Sequence, residues 1–371
     1  MSKLVRAQAP PTLETIAREV GLSKSTVSRA LRDSPNQSRA TCLRVQRTAQ
    51  AMGYRTNPML AAWMARVRGG CADGHGAGTC LALADTFPTE ADWRSWRHLS
   101  WLEEGARSRA AELGCSLERI PFARGGTKPD HFPRRLQARG IAGVVLLPFK
   151  QFGTTLPFSP QGLSLVAIGH SMTTPDVSRV EVNYFQTWMH VMQALADRGF
   201  RRPAFCNLVT VDLRNSGNMW AGYWTASRQL FGRYACPGLN LEATEDVRRR
   251  KQRFVRWRET HQPDVVVFNK QWLLEEVAPD EKGVMLFLHP RPGTKHPYAY
   301  VDLRWPEIGR AAIDLLFQQL IQHQTGIPTV PVIHLVAGQP VLRGLTDCRG
   351  TGSDDRRPER RAGVDGKTVG A

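Results

Sequence analysis

The sequence predicts an all-α helix-turn-helix domain and a short apolar helix, followed by an α/β body of two lobes built on parallel sheets. Three observations support this fold class. Apolar residues recur at helical spacing in three segments before residue 57, and strand-like apolar runs alternate with helices from residue 79 onward. Between them, half of residues 69–78 are glycine. Because 371 residues exceed the usual length of one domain, two or three cores are expected.

The N-terminal domain, residues 1–57, is predicted to hold three helices around one small core. The first begins after Thr12 and carries apolar side chains at i, i+3, i+4 and i+7, namely Leu13, Ile16, Ala17 and Val20. Gly21 is expected to end it, and Ser23 to cap a second helix. The outer face of that second helix carries Lys24, Ser25, Ser28 and Arg29. A third helix is expected over about residues 39–52, ending at Gly53.

Positive charge is concentrated in this part of the chain. The whole sequence has a formal net charge of +17, and residues 1–70 contain twelve lysines and arginines against three acidic residues. A field of that sign attracts polyanions, so a nucleic-acid partner is predicted.

Three runs at fixed spacing resemble the DNA-binding domain of the LacI/GalR family of bacterial transcriptional regulators. They are Thr12-Leu13-x-x-Ile16-Ala17, then Gly21-Leu22-Ser23-x-x-Thr26-Val27-Ser28-Arg29-x-Leu31, then Gly53-Tyr54-Arg55-x-Asn57-Pro58. The resemblance implies phosphate or backbone contacts from Thr12, Ser23, Thr26, Ser38, Tyr54 and Asn57. It implies that Lys24, Ser25 and Arg29 read base edges, with Ser28 on the same outer face. The alternative, a merely solvated helix face, is disfavoured by the regional charge.

Residues 58–68 form a short apolar segment that is marginal as an isolated helix and needs a partner. By the same resemblance it is a hinge helix that pairs with its dimer mate in the minor groove and inserts an apolar wedge. Trp63 occupies the wedge position, where the family usually has leucine, so Leu60 or Met64 remains an alternative. Trp63 would otherwise pack against the effector domain or the dimer mate. Residues 69–78 are then predicted to be a flexible linker.

From residue 79 to 349 the pattern is that of a doubly wound protein. Strands are predicted at 79–84, 116–120, 143–147, 165–168, 179–182, 203–207, 265–268, 284–288, 298–301 and 330–335, and helices at 101–113, 130–139, 185–198, 220–231, 245–259 and 307–322. These units are too many for one sheet, so two lobes with a cleft at the carboxyl ends of the strands are expected. The resemblance implies a fold similar to periplasmic sugar-binding proteins, with chain crossovers near Arg201, Pro290 and Thr325. Residues 350–371 are predicted to be a disordered tail.

The cleft departs from the resemblance at two positions. Met219 stands where sugar- or purine-binding members commonly have arginine, and Arg214 would take over the role of that arginine. Asn269-Lys270 stands where those members have Asn-Asp. A lysine there favours an anionic ligand such as a sugar acid or a phosphate, although a surface lysine is the alternative. Trp93, Trp96 and Trp220 are either stacking faces for a ligand ring or core residues. The candidate effector residues are therefore Trp96, Met219, Trp220, Asn269 and Lys270.

Other function classes receive little support. The seven cysteines are scattered and form no C-x-x-C pair, and no apolar run reaches the length of a membrane span, so a cytoplasmic protein is expected. Cys71, His75 and Cys80 lack a fourth ligand, so neither a metal nor a cofactor is predicted. No P-loop, G-x-S-x-G or H-E-x-x-H spacing indicates an enzyme.

The expected function is a homodimeric, sequence-specific DNA-binding regulator, with repression as the expected sign. Its expected partners are a pseudo-palindromic double-stranded DNA operator and a sugar-like or sugar-acid effector, with no membrane partner. One alternative is a constitutive DNA-binding regulator without ligand control. The other is a cytoplasmic solute-binding protein or an enzyme with an incidental helical N-terminus.

Overall fold

A computed structural model describes residues 13–31, 37–52, 79–87, 89–122, 131–279, 283–287 and 298–345. The chain divides into two units, residues 1–78 and residues 79–371. The predicted hinge helix (58–68), linker (69–78) and tail (350–371) lie outside the described residues, and their predictions remain untested.

The described part of the N-terminal unit, residues 13–31 and 37–52, contains three helices: α1 (Leu13–Val20), α2 (Lys24–Ala30) and α3 (Arg39–Ala51). Gly21 has a φ of +65°, a left-handed conformation that favours glycine and turns the chain between α1 and α2. The core is small and well closed, with buried Ile16, Ala17, Val27, Ala30, Cys42, Val45 and Ala49. The predicted helical periodicity and the inward position of Val27 are confirmed.

The second unit contains two lobes, each with a six-stranded sheet. Lobe 1 begins with β1 (Cys80–Asp85), α4 (Glu90–Ser95), α5 (Arg97–Glu112), β2 (Ser116–Pro121), α6 (Phe132–Gln137), β3 (Gly143–Leu146), β4 (Thr154–Thr155), β5 (Ser164–Ile168), β6 (Met172–Thr174) and β7 (Arg179–Val182).

Lobe 2 follows with α7 (Tyr184–Asp197), β8 (Pro203–Leu208), α8 (Val209–Leu213), α9 (Asn218–Phe231), a 3₁₀ turn (Gly232–Tyr234), β9 (Leu239–Leu241), α10 (Val247–His261), β10 (Val265–Phe268), α11 (Gln271–Val277), β11 (Val284–Leu286) and β12 (Ala299–Asp302). The chain then returns to lobe 1 with α12 (Trp305–Ile321) and β13 (Ile333–Val336), and ends in lobe 2 with β14 (Gln339–Val341).

The sheets confirm the predicted α/β fold class. In lobe 1 the strand order is β13-β7-β5-β3-β1-β2, with every pair parallel. In lobe 2 it is β14-β12-β11-β10-β8-β9, parallel except for the antiparallel pair β12–β14. The short strands β4 and β6 pair separately. Each lobe has its own apolar core.

The crossovers between the lobes lie elsewhere than expected. Helix α7 packs on α9 in lobe 2, and α12 packs on α5 in lobe 1. The chain therefore crosses at Asn183, at Leu303-Arg304 and at Ala337-Gly338, directly after β7, β12 and β13. The expected crossovers near Arg201 and Thr325 are wrong, and Pro290 lies outside the described residues. The physical reason is that the lobes exchange covering helices, so each crossing occurs where a strand ends at the cleft.

Helices α5 and α12 approach each other very closely. A Cβ atom at Gly105 would lie 1.9 Å from the Pro306 carbonyl oxygen, and one at Gly309 would lie 2.1 Å from the Leu102 carbonyl oxygen. Only glycine permits this contact between backbones, which anchors the helix that follows the second crossover on lobe 1.

Candidate functional site

The outer face of α2 is open to solvent. Lys24, Ser25 and Arg29 are all exposed, and Thr26 is half-buried. The Nε of Arg29 donates to the Ser25 carbonyl oxygen of its own helix at 3.3 Å, which leaves the rest of the guanidinium available. For Ser28 only the helical backbone is described. Three predicted base or phosphate readers therefore lie on one accessible surface.

Two predicted phosphate contacts also have a structural role. The Ser23 hydroxyl accepts the Thr26 backbone N–H at 3.1 Å, and the Ser38 hydroxyl accepts the Thr41 backbone N–H at 3.2 Å, so each serine caps a helix. A hydroxyl has two lone pairs and one proton, so a capping serine can still donate to a phosphate oxygen. Capping and DNA contact are compatible at both positions.

The remaining predicted DNA contacts lie outside the described residues. These are Thr12, Tyr54, Asn57, Leu60 and Trp63, and their roles remain predictions.

The second candidate site is a cavity of about 1130 Å³ between the lobes. Its walls come from both lobes: Trp96 and His98 from lobe 1, and Arg214 and Lys270 from lobe 2. Tyr184 lies two residues after the end of β7, and Lys270 lies two residues after the end of β10. The cavity therefore lies at the carboxyl ends of parallel strands. Doubly wound proteins commonly bind ligands in this place.

Arg214 bridges the two lobes. Its Nη1 donates to the Lys150 carbonyl oxygen at 2.8 Å and its Nη2 to the Phe149 carbonyl oxygen at 2.6 Å, both in lobe 1. Its guanidinium carbon also lies 4.9 Å from the centre of the Trp96 ring. Burial lowers the pKa of Arg214. These hydrogen bonds satisfy N–H groups, but carbonyls carry no formal charge. Among the residues that the structure describes, no carboxylate forms an ion pair with this guanidinium.

Three nitrogen-bearing side chains influence one another in this cavity. Burial, followed by the positive charges of Lys270 and Arg214, lowers the pKa of His98 to about 3. Burial and then the charge of Arg214 also lower the pKa of Lys270. At neutral pH the His98 imidazole is therefore neutral, and it lies in the same cavity as Lys270 and Arg214.

Two acidic side chains near the cavity, Glu181 and Asp212, contact other residues. Glu181 Oε2 lies 2.5 Å from His170 Nε2. Asp212 Oδ1 accepts the Met219 backbone N–H at 3.0 Å and the Trp220 backbone N–H at 3.3 Å. Burial raises the pKa of Asp212, while these N–H donors lower it.

The predicted effector residues are not all brought together. Trp96, Met219 and Lys270 line the cavity, and Met219 is buried beneath its surface. Asn269 is fully buried and lies outside the cavity. Its amide donates to Asn207 Oδ1 at 2.7 Å and its oxygen accepts the Leu208 N–H at 2.9 Å, so it joins β8 to β10.

The two other tryptophans belong to the packing. Trp220 lies outside the cavity, 5.8 Å from the Tyr223 ring centre and against Gly238. Trp93 is buried, with the Arg119 guanidinium 4.3 Å from its ring centre. For Trp93 the core interpretation holds.

Sequence reasoning missed His98, Tyr184 and Trp305 as cavity residues. Tyr184 had a usable signal, because it closely follows a predicted strand at the edge where ligands bind. His98 and Trp305 lie at the first turns of α5 and α12 and carry no local signal.

The architecture defines a class of protein: a helix-turn-helix domain carried on the same chain as a two-lobed α/β body with a central cleft. Residues 12–57, which contain α1, α2 and α3, match the family model of bacterial regulatory proteins, lacI family.

Three solved structures show a remote similarity to this chain. The lac repressor dimer bound to operator and the anti-inducer ONPF has 16% sequence identity and a TM-score of 0.49, with 91% of this chain and 99% of that chain covered. The transcriptional regulator CelR–cellobiose complex has 18% identity and a TM-score of 0.46, with 90% and 99% covered. A LacI transcriptional regulator from Lactobacillus brevis has 13% identity and a TM-score of 0.49, with 71% and 100% covered. No curated protein matches the sequence.

Within the described ranges, no helix combines the length and apolar character needed to cross a membrane. Among the same residues, no cluster of three or more His, Cys, Asp or Glu side chains has an arrangement that could hold a metal ion.

Proposed function

We propose that this chain is a sequence-specific DNA-binding transcriptional regulator of the bacterial cytoplasm. It acts as a homodimeric repressor, and a small molecule bound in the interlobe cleft sets its affinity for the operator. The proposed role is binding, and no reaction is assigned to the cleft. The lacI-family match over the three-helix domain carries this proposal.

The surface of α2 supports the DNA-binding part. Lys24, Ser25 and Arg29 are exposed together on a short helix of a strongly basic segment. Arginine and lysine can donate to guanine O6 and N7 in the major groove. Serine hydroxyls at the N-termini of α2 and α3 can position the domain on the phosphate backbone. A two-fold dimer of such domains requires an operator with two related half-sites.

The topology of the cleft supports the ligand-control part. All three crossovers and the Arg214 bridge lie where the lobes face each other. A ligand that contacts both lobes changes the free-energy difference between open and closed arrangements. It alters DNA affinity only if these arrangements bind DNA differently.

The test of DNA binding begins with selection of an operator from fragments of the source genome. Binding of the selected operator is then measured for the wild type, Arg29→Ala and the control Arg256→Ala, an exposed cation on α10. Loss of one base-reading arginine is expected to weaken operator binding by about 1–3 kcal/mol. Equal affinity of Arg29→Ala and wild type would contradict the assigned reader. No selectable operator would contradict the proposal as a whole.

A second candidate is a regulator without ligand control. It is favoured by the Arg214 bridge, because direct hydrogen bonds between lobes can hold one arrangement by themselves. Thermal stability separates the two candidates, since a ligand at 100 times its Kd adds about 2.7 kcal/mol to the folded state. A ligand that stabilises the protein and changes operator affinity supports ligand control.

A further inference from the structure

The cleft contains more positive charge than its neighbours neutralise. Lys270 lies at the start of α11, and Arg214 follows α8, so lobe 2 directs two cations into one cavity. Among the described residues, no carboxylate lies within ion-pair distance of Lys270 or Arg214. Partly buried cations are normally paired, because removing a charge from water costs several kcal/mol.

Glu181, which lines the cavity, and Asp212, two residues before Arg214, form no ion pair with either cation. Glu181 is paired with His170 at 2.5 Å, and its other oxygen lies 3.9 Å from the Arg179 Nε. Asp212 accepts backbone N–H groups at the start of α9. The charge of the cavity is therefore suited to a ligand that brings its own negative group.

Aromatic rings form the wall beside these cations. The His98 ring centre lies 5.6 Å from that of Trp96 and 4.9 Å from that of Trp305, so the three rings form a continuous surface. Buried Phe287 and Tyr184 also line the cavity. Such faces favour a ring or a flat body over an extended polar chain.

Hydrogen-bonding groups for a polar body are also present. The Tyr184 hydroxyl donates to Asn215 Oδ1 at 2.9 Å, which leaves its oxygen able to accept a hydrogen bond. The Lys270 ammonium has three donors, and the Arg214 guanidinium keeps N–H groups beyond the two that it gives to lobe 1. The site thus combines donors for an anionic oxygen with an acceptor for a ligand hydroxyl.

We propose that the effector is a small organic anion. Its carboxylate or phosphate group lies between Lys270 and Arg214, and its ring packs against Trp96, His98 and Trp305. This inference rests on the proposed function, because it takes the cleft to be the effector site. Binding of the anion supplies the missing negative charge and makes contacts with both lobes.

The test uses the full-length protein and matched pairs of probes. Glucuronate is compared with glucose, benzoate with benzyl alcohol, and glucose 6-phosphate with glucose, each at 10 mM, by thermal shift and then by calorimetry. At least one anion is expected to raise Tm while its neutral counterpart does not. The carboxylate and phosphate arms distinguish the two kinds of anionic group.

Variants locate the binding site. Lys270→Met and Arg214→Met are each expected to weaken binding of the active anion at least tenfold, whereas Lys270→Arg retains binding because it keeps the charge. Arg256→Gln, an exposed cation on α10, is the matched control and is expected to bind as the wild type does. Lys270→Met is expected to keep or raise the Tm of the free protein, because it removes an unpaired charge.

Three results would overturn the inference: no shift with any anion, equal shifts with anions and their neutral counterparts, or undiminished anion binding by Lys270→Met. Operator binding is measured on the same preparations. If operator binding is intact while anions fail, only the anion inference fails. If the wild type selects no operator, the proposed function fails whatever the cleft binds.

Discussion

Arg214 of lobe 2 donates its Nη1 to the Lys150 carbonyl oxygen of lobe 1 across the cleft, at 2.8 Å. The second hydrogen bond, to Phe149, and the Trp96 ring complete an attachment between lobes that involves no acidic side chain. The same guanidinium that supplies charge to the cavity therefore also holds the lobes together. Ligand binding and lobe arrangement are physically linked through this residue.

Replacing Arg214 should destabilise the two-lobed unit. Arg214→Gln removes two hydrogen bonds from a charged donor, and after allowance for partial exposure the expected loss is about 2 kcal/mol in the free energy of unfolding. Arg228→Gln is the matched control, because Arg228 also stacks on a tryptophan, Trp224 at 4.4 Å, but on the exposed surface. Arg228→Gln should lower the free energy of unfolding by less than about 1 kcal/mol. Urea unfolding measures both, and equal losses would argue against the bridge.

Burial of neutral His98 should make stability depend on pH. Its pKa is lowered to about 3 in the folded state by burial and by Lys270 and Arg214, against about 6.5 when unfolded. Between these values only the unfolded state takes up the proton, so stability is complete above pH 6.5 and falls as the pH is lowered toward 3. From pH 7.5 to 5.5 the loss from this group is about 1 kcal/mol.

The variant His98→Gln isolates this contribution. It cannot titrate, so its stability should fall less than that of the wild type between pH 7.5 and 5.5, whatever its absolute stability. Urea midpoints at both pH values give the comparison. Identical pH dependence in the two proteins would mean that the pKa of His98 is the same in the folded and unfolded states, and that burial does not lower it.

The close approach of α5 and α12 should make Gly309 intolerant of a side chain. Alanine normally favours a helix over glycine by about 1 kcal/mol. At Gly309, however, the added Cβ would lie 2.1 Å from the Leu102 carbonyl oxygen, which is backbone and must move. Overpacking of this kind typically costs 1–3 kcal/mol, so Gly309→Ala should be net destabilising by about 2 kcal/mol.

Gln318→Ala, on the exposed face of the same helix, is the control for helix propensity. It should change stability by less than about 0.5 kcal/mol. Thermal and urea unfolding measure both variants. A stable Gly309→Ala protein would show that the two helices separate without cost.

Ser23 offers a way to separate helix capping from phosphate contact. Ser23→Ala should cost the N-terminal domain about 1 kcal/mol, because the Thr26 N–H loses its acceptor. Ser23→Asp should retain domain stability, since aspartate caps as well as serine. If the serine faces phosphate, the new carboxylate repels it and operator affinity falls. Unchanged operator affinity of Ser23→Asp would limit Ser23 to capping.

Much of the fold could be predicted because its signals are local. The caps Ser23 and Ser38 and the longer strands and helices follow from side chains a few residues apart. Short elements such as α4, α8, β9, α11 and β14 were not predicted, since their few residues carry no clear hydrophobic period or boundary signal. Strand β13 begins at Ile333 rather than at 330 because pairing with β7 sets its start.

The crossovers could not be predicted from local pattern. Helices α7 and α12 look like ordinary continuations of the strands before them. They cover the opposite lobe because their apolar faces pack there. On α7, for example, the ring centre of Trp188 lies 4.5 Å from that of Phe287 in lobe 2. Which lobe a helix covers therefore depends on contacts between residues far apart in sequence.

The sequence by itself determined that a basic helix-turn-helix domain precedes a parallel α/β body, since short-range spacing and charge encode both. Only the tertiary structure decided which side chains share the cleft. Asn269 and Lys270 are neighbours in sequence, yet Asn269 joins two buried strands while Lys270 lines the cavity. Arg214 and Trp96, 118 positions apart, meet there. The reason is physical: periodicity selects the buried face of an element, but only packing between elements decides what that face meets.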